Sequence, residues 1–246
     1  MARLSVNLNK VALLRNSRRT GVPDIARFAR IALDSGAEGI TVHPRPDERH
    51  IRRSDVAVIA GVMRPDRPGK EFNIEGYPEE RLMTLLREIR PEQCTLVPDA
   101  PEAFTSEEGW KLDEAQTTLA VPAIAAIKAQ GCRVILFIDA DPAVVARVLR
   151  AGADGVEIYT GAYAAAFRSG THAALLHAIG ATARAAAEAG LAVNAGHDLN
   201  LLNIPALMEA VPFLAEASIG HELTVDALEA GFGPTVAAYA KALRPG

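Results

Sequence analysis

The segment RVILFIDADPAVVARVLRAGADGVEIYTG, residues 133–161, holds one complete repeat of the fold. It opens on a β-rich run, 133–139, dominated by Val, Ile, Leu and Phe. Asp141-Pro142 then marks a helix start. The aspartate can cap the first turn, and proline suits the first helical position, where its missing N–H would have had no partner. Gly152 closes the helix, because glycine takes the left-handed conformation past a helix C-terminus at little cost. A second β-rich run, GVEIYTG (155–161), follows at once. Strand, helix, strand in this order makes a parallel pair joined by a right-handed crossover.

Working outward, the same unit recurs. Further β-rich runs stand at 4–9, 39–44, 70–76, 93–99, 191–198 and 216–222, which makes eight in all. Between them lie helical patterns such as PDIARFARIALDSG, where Ile25, Phe28, Ala29, Ile31 and Ala32 share a face. Gly36, Gly131 and Gly190 end helices as Gly152 does. Eight β/α units in about 250 residues is the count of a closed (β/α)8 TIM barrel. An open dinucleotide-binding sheet would place Gly-x-Gly-x-x-Gly after the first strand, and none is there. No linker or low-complexity tract interrupts residues 1–246, so one barrel domain is expected throughout.

The net charge of −4 argues against a general nucleic-acid surface. Basic residues do gather locally, in RNSRR (15–19) and HPRPDERHIRR (43–53). These read as solvated faces or as a receptor for a small anion. Cys94 and Cys132 lie far apart, each entering a strand, and read as buried hydrophobes in a reducing compartment. The N-terminus runs straight into a strand with no hydrophobic signal core, and no apolar run is long enough to span a membrane. A cytoplasmic protein is expected, with neither membrane nor nucleic acid among its partners.

In such barrels the chemistry sits at the C-terminal ends of the strands. Polar residues are expected to collect there and the strand starts to be apolar. Round the ring stand Asn7 and Asn9, His43 and Arg45, Glu75, Asp99, Asp139, Glu157 and Thr160, His197, and His221. Strands seven and eight end alike, in Gly196-His197-Asp198 and Gly220-His221-Glu222. Glycine allows the backbone to approach a phosphate, although it also relieves crowding. Asp198 and Glu222 either orient the histidines or cap the next helices. Glu75 follows an apolar run, which favours a raised pKa and acid/base work; an ion pair with Arg45 would instead hold it ionised. Pro44 and Pro46 stiffen the loop carrying His43, Arg45, Arg49 and His50, suiting it to phosphate or carboxylate capture. Asp139, Asp141, Glu157 and His197 would make a metal site only if Asp141 were free, and Asp141-Pro142 is better explained as a cap. No metal is expected.

The segments SVNLNKVALLRNSR, GAEGITVHPRPDERHI, FNIEG, TLVPD, FTSEEGW, VNAGHD and SIGH closely resemble, in order, those of the pyridoxine 5'-phosphate synthases. The resemblance implies a barrel with additional helices, assembled as an octamer and working without metal or organic cofactor. It implies condensation of 3-amino-2-oxopropyl phosphate with 1-deoxy-D-xylulose 5-phosphate, with release of phosphate and water. By position it implies His43 and Glu75 as acid/base residues and His197 as proton donor. Asn7, Arg18, Gly220 and His221 would surround the aminoketone phosphate, and Arg45, His50 and Thr105 the deoxyxylulose phosphate. The stretch from Asp99 to Trp110 resembles a mobile lid. The chain departs from the family pattern at Asn9-Lys10, where Asp-His is familiar, at Tyr159, where many members have His, and at Asp198, where many have Gly. Asn9, Lys10 and Asp198 are therefore the positions where substrate contacts would differ, with Lys10 available to a phosphate. Two alternatives stay open: a lyase or aldolase acting on another phosphorylated sugar, and a non-catalytic barrel that binds a phosphometabolite.

Overall fold

The computed structural model describes residues 1–99 and 108–244. Its strands are β1 (Arg3–Asn7), β2 (Gly39–Val42), β3 (Glu71–Gly76), β4 (Gln93–Leu96), β5 (Arg133–Ile138), β6 (Gly155–Tyr159), β7 (Ala192–Gly196) and β8 (Glu216–Ile219). All neighbours pair in parallel, and β8 closes on β1 with Arg3 opposite Glu216 and Val6 opposite Ile219. The eight expected strands are present, although the observed ones stop up to three residues earlier. The extended character runs on past the strand ends, where Leu8, Val97 and Thr160 still donate a last N–H to the neighbouring strand before the chain turns away.

The helices are α1 (Asn9–Asn16), α2 (Ile25–Asp34), α3 (Arg53–Met63), α4 (Glu80–Ile89), α5 (Glu114–Lys128), α6 (Pro142–Ala151), α7 (Gly161–Arg168), α8 (Ala173–Glu188), α9 (Ile204–Ala210), α10 (His221–Ala230) and α11 (Phe232–Ala242). The additional ones follow β1, β6 and β8, where two helices stand in place of one. Asp141 caps α6 as read from the sequence, its Oδ1 accepting the Ala143 N–H at 2.9 Å. Gly36, Gly131, Gly152 and Gly190 all have positive φ. On α2, Ile25, Ala29, Ala32 and Leu33 are buried, and Phe28 packs edge-on against Phe232 of α11.

Alternation along each strand sends one set of side chains out and the other into the barrel. The outward set is apolar (Leu4, Val6, Ile40, Val42, Phe72, Ile74, Val156, Ile158) and forms the core beneath the helices. Much of the inward set is polar, which corrects the expectation of apolar strand starts. At the N-terminal end Glu71 bridges Arg3 and Arg133, and Gln93 donates across the barrel to Glu216 at 3.0 Å. One layer up, Ser5, Thr41, Asn73 and Thr95 bond in series, and Thr95 of β4 reaches Glu157 of β6 at 3.4 Å. These buried groups hold because they satisfy one another; a single orphan would cost roughly 1–3 kcal/mol.

Candidate active site

The uppermost interior layer opens at the C-terminal ends of the strands. Asn7, the last residue of β1, accepts the Asn9 N–H on Oδ1 at 3.0 Å and reaches Glu75 Oε2 through Nδ2 at 3.5 Å. Asn9 is the first residue of α1, not part of the strand, and its Oδ1 accepts the His43 N–H at 2.9 Å. That oxygen is thus engaged by the backbone, while the neighbouring Lys10 is exposed. His43 lies just past β2, buried, with Nδ1 3.8 Å from Glu75 Oε2.

Electrostatics sets these two groups apart. Burial raises the Glu75 pKa to about 7 against the opposing charges of His197 and Arg45. Burial, reinforced by Arg45 and His50, holds the His43 pKa well below the ordinary imidazole value. At neutral pH, then, Glu75 exchanges its proton and His43 is an uncharged imidazole. Of the two readings open for Glu75, a raised pKa or an ion pair with Arg45 that keeps it ionised, the structure favours the first, because desolvation outweighs Arg45. His50 is shifted the same way: burial, with the nearby Arg45 and Lys10, lowers its pKa to about 4. His50 Nδ1 accepts the Ile51 N–H at 2.9 Å, so the ring proton sits on Nε2 as a donor. Arg45 is buried, and its charge together with those of Lys10 and Arg49 makes this side of the mouth cationic.

His197 sits just past β7 with φ of 92°, followed by Asp198 with φ of 57°. Such conformations are strained for residues other than glycine and mark functional turns. Its ring lies edge-on to Tyr159 (5.1 Å between centroids), and Nδ1 is 3.4 Å from Asp198 Oδ2. That contact with His197, opposed by burial, holds the Asp198 carboxyl below the usual range. The turn is pinned from below: the Thr160 hydroxyl lies 2.7 Å from Gly196 O and 2.6 Å from His197 O and donates between them. Asn203 Nδ2 adds a bond to Asp198 O at 3.1 Å.

The glycines before the two histidines have a steric cause. A Cβ on Gly196 would stand 2.2 Å from Glu157 Oε1, and one on Gly220 would stand 3.0 Å from Asn7 Cβ. Crowding excludes a side chain at Gly196 and leaves little room for one at Gly220. His221 opens α10 with an exposed side chain, and its charge is felt by Asp198. Arg18 is exposed in the turn beyond α1, at the opposite end of that helix from Lys10. Thr105 lies outside the described residues, as does most of the stretch read as a lid. Its far end is an anchor: Trp110 is buried and donates from Nε1 to Leu96 O at 2.8 Å, and a Cβ on Gly109 would strike the Asp139 backbone N at 2.2 Å. Asp139 itself accepts the Gly109 N–H at 3.0 Å. Among the described residues no three His, Cys, Asp or Glu side chains converge as metal ligands do.

Residues 4–245 match the family model described as Pyridoxal phosphate biosynthesis protein PdxJ. The chain belongs to the PdxJ family. Its relatives include proteins named pyridoxine 5'-phosphate synthase from Allorhizobium ampelinum, 49% identical over 244 residues (98% of this chain, 97% of the relative), and from Chelativorans sp., 51% identical over 243 residues (98% of each). Solved structures share the fold at low identity. Tryptophan synthase from M. tuberculosis matches with a TM-score of 0.66 at 14% identity, covering all of this chain and 93% of the other. Phosphoribosyl anthranilate isomerase matches at 0.60 and 12%, covering 99% and 98%. These show the barrel and carry no chemistry across.

Within this PdxJ barrel, sequence reasoning placed Glu157 in the polar ring but weighed it only as a metal ligand, and took Tyr159 only as a departure from the family pattern. Glu157 is buried beneath Glu75 and Gly196, and burial together with the charges of Glu75 and Glu216 raises its pKa well above the carboxylate range. The available signal was its position two residues before Tyr159, on the inward face of β6.

Proposed function

We propose that this protein is a pyridoxine 5'-phosphate synthase of vitamin B6 biosynthesis. It condenses 3-amino-2-oxopropyl phosphate with 1-deoxy-D-xylulose 5-phosphate, forming an imine, losing water and phosphate, and closing the pyridine ring. The observation that carries the reading is Glu75, a carboxyl with a pKa of about 7 facing His43 across 3.8 Å and sensing the charge of His197. Repeated dehydrations need a group that gives and takes protons at neutral pH, and one such group typically contributes about 10²–10⁴-fold.

In this reading Glu75 shuttles protons, neutral His43 acts as base, and His197 donates to departing oxygen. Arg45, the Nε2–H of His50 and Lys10 receive the phosphate of deoxyxylulose phosphate, together with Thr105. Asn7, Arg18, Gly220 and His221 surround the aminoketone phosphate, with Asn9 and Asp198 holding the backbone and the His197 ring on either side. Holding two phosphorylated substrates together is worth roughly 7–11 kcal/mol of barrier. Assembly as an octamer belongs to the same proposal. Exposed Leu13 and Leu14 on α1, and Val225 and Leu228 on the adjacent α10, supply apolar surface for it. So does a cytoplasmic location, which suits two buried free thiols, Cys94 and Cys132.

The test is to incubate the purified protein, in chelator, with both substrates and to follow pyridoxine 5'-phosphate by absorbance and mass. Stoichiometric product with inorganic phosphate is expected. A folded protein that binds either substrate and forms no product would overturn the assignment.

A further inference from the structure

The loop after β2 poses a physical problem. It carries Arg45 and His50, yet between Glu48, with φ of 51°, and His50 it turns three successive carbonyls to one side with no strand to receive them. The partner is the last residue of α1. Asn16 Nδ2 donates toward Glu48 O, Arg49 O and His50 O at 3.2, 3.1 and 2.7 Å. Arg15 holds Asn16 in place, its Nε donating to Asn16 Oδ1 at 3.1 Å. The same guanidinium makes a two-pronged pair with Asp55 at 2.6 and 2.8 Å and a further bond to His50 O at 3.1 Å. Asp55 in turn accepts the Arg52 N–H at 2.8 Å, where the loop ends and α3 begins. Arg15 and Asp55 are only 6% and 7% exposed, so this pair works largely out of water, where a forked charge-assisted bond is strongest. At the other end of α1, Asn9 accepts the His43 N–H, where the loop starts.

We infer that α1 is a splint for the β2–α3 loop, with Asn16 and Arg15 as positioning residues that set Arg45 and His50 for phosphate. What Arg45 and His50 bind rests on the proposed function; the splint itself rests on the bonds above. Arg15 therefore leaves the basic run RNSRR as a brace, not an anion ligand. A pre-formed cationic loop binds a phosphate without first losing its own conformational freedom, so the brace acts on affinity more than on chemistry.

Asn16→Ala is the primary variant, because Arg15→Ala would strand a buried carboxylate and could unfold the protein. Relative to wild type, Asn16→Ala is expected to raise KM for deoxyxylulose phosphate about tenfold, with kcat within about threefold and the other KM within about twofold. Tm should stay within about 4 °C, and the amides of residues 48–51 should exchange faster with deuterium. Asn16→Asp, which sets a carboxylate against three carbonyls, should be worse than Asn16→Ala. Unchanged values of both KM in Asn16→Ala, or a rise in both KM together with a fall in kcat and Tm, would overturn the inference. If wild type forms no product, the function fails separately, and the splint is judged by calorimetric titration of inorganic phosphate. About tenfold weaker binding to Asn16→Ala supports it, and equal affinity refutes it.

Discussion

Glu75 carries a proton that the unfolded chain would have released. Its pKa of about 7 against an ordinary 4.5 means that the folded protein binds more protons than the unfolded one across that interval. Its contribution to stability therefore falls as pH rises from 4.5 to 7 and stays low above. Glu75→Gln should be more stable than wild type at pH 8, by up to about 3 kcal/mol, with most of that difference gone at pH 5, as read by urea unfolding. The same variant should lose turnover, and the acid limb of the wild-type kcat/KM profile, expected near pH 7, should belong to this group. Gly196 offers a steric test. Gly196→Ala should destabilise by about 1–3 kcal/mol through collision with Glu157 and should be largely rescued by adding Glu157→Ala, a coupling that a double-mutant cycle measures. At this scale the sequence made Glu75, His43 and His197 visible, because strand ends converge in any barrel. It could not show that burial would beat Arg45, since that depends on which side chains close over the carboxyl.

Among the elements, the turn after β7 shows how strain is maintained. Two successive non-glycine residues at positive φ, His197 and Asp198, are held by Thr160 beneath and Asn203 beside. Thr160→Val keeps the shape and removes the hydroxyl. It should lower kcat about tenfold or more while shifting Tm by only a few degrees, because the released turn misplaces His197. Equal kcat in the two proteins would show that the turn holds itself. Strand existence was legible from the β-rich runs and from glycines past the helix ends. Strand termini were not: Asn9, His43 and His221 continue the extended pattern in sequence, yet two of them begin helices and one begins a loop. Nor was the α1 brace, because Arg15 and Asn16 look like any surface basic run until the loop they hold is folded over them.

For the whole molecule the informative feature is a barrel with a polar interior. Burial opposes ionisation of Glu71, but Arg133 and Arg3 outweigh it, and its pKa lies below the ordinary carboxyl value. A depressed pKa contributes stability above the unfolded value that is lost as pH falls through the folded one. Glu71→Ala should cost about 1–3 kcal/mol at pH 7, the half-exposed arginines limiting the loss, and should unfold with a weaker acid dependence than wild type. An acid titration followed by circular dichroism checks both. The sequence marks the β-rich runs, but which residues of each run face inward is decided only when the eight strands close and the helices claim the apolar side.

The corner where Trp110 enters the core has an optical consequence. It is the chain's one tryptophan, sealed from water with its indole N–H bonded to a carbonyl of β4 and its backbone N–H bonded to Phe137 O of β5. Emission from the folded protein should therefore sit at the blue end of the indole range and move red in a single step on unfolding. The protein carries a fluorophore at the join of two barrel strands, beside the mouth, where ligand-induced rearrangement can be followed without a label.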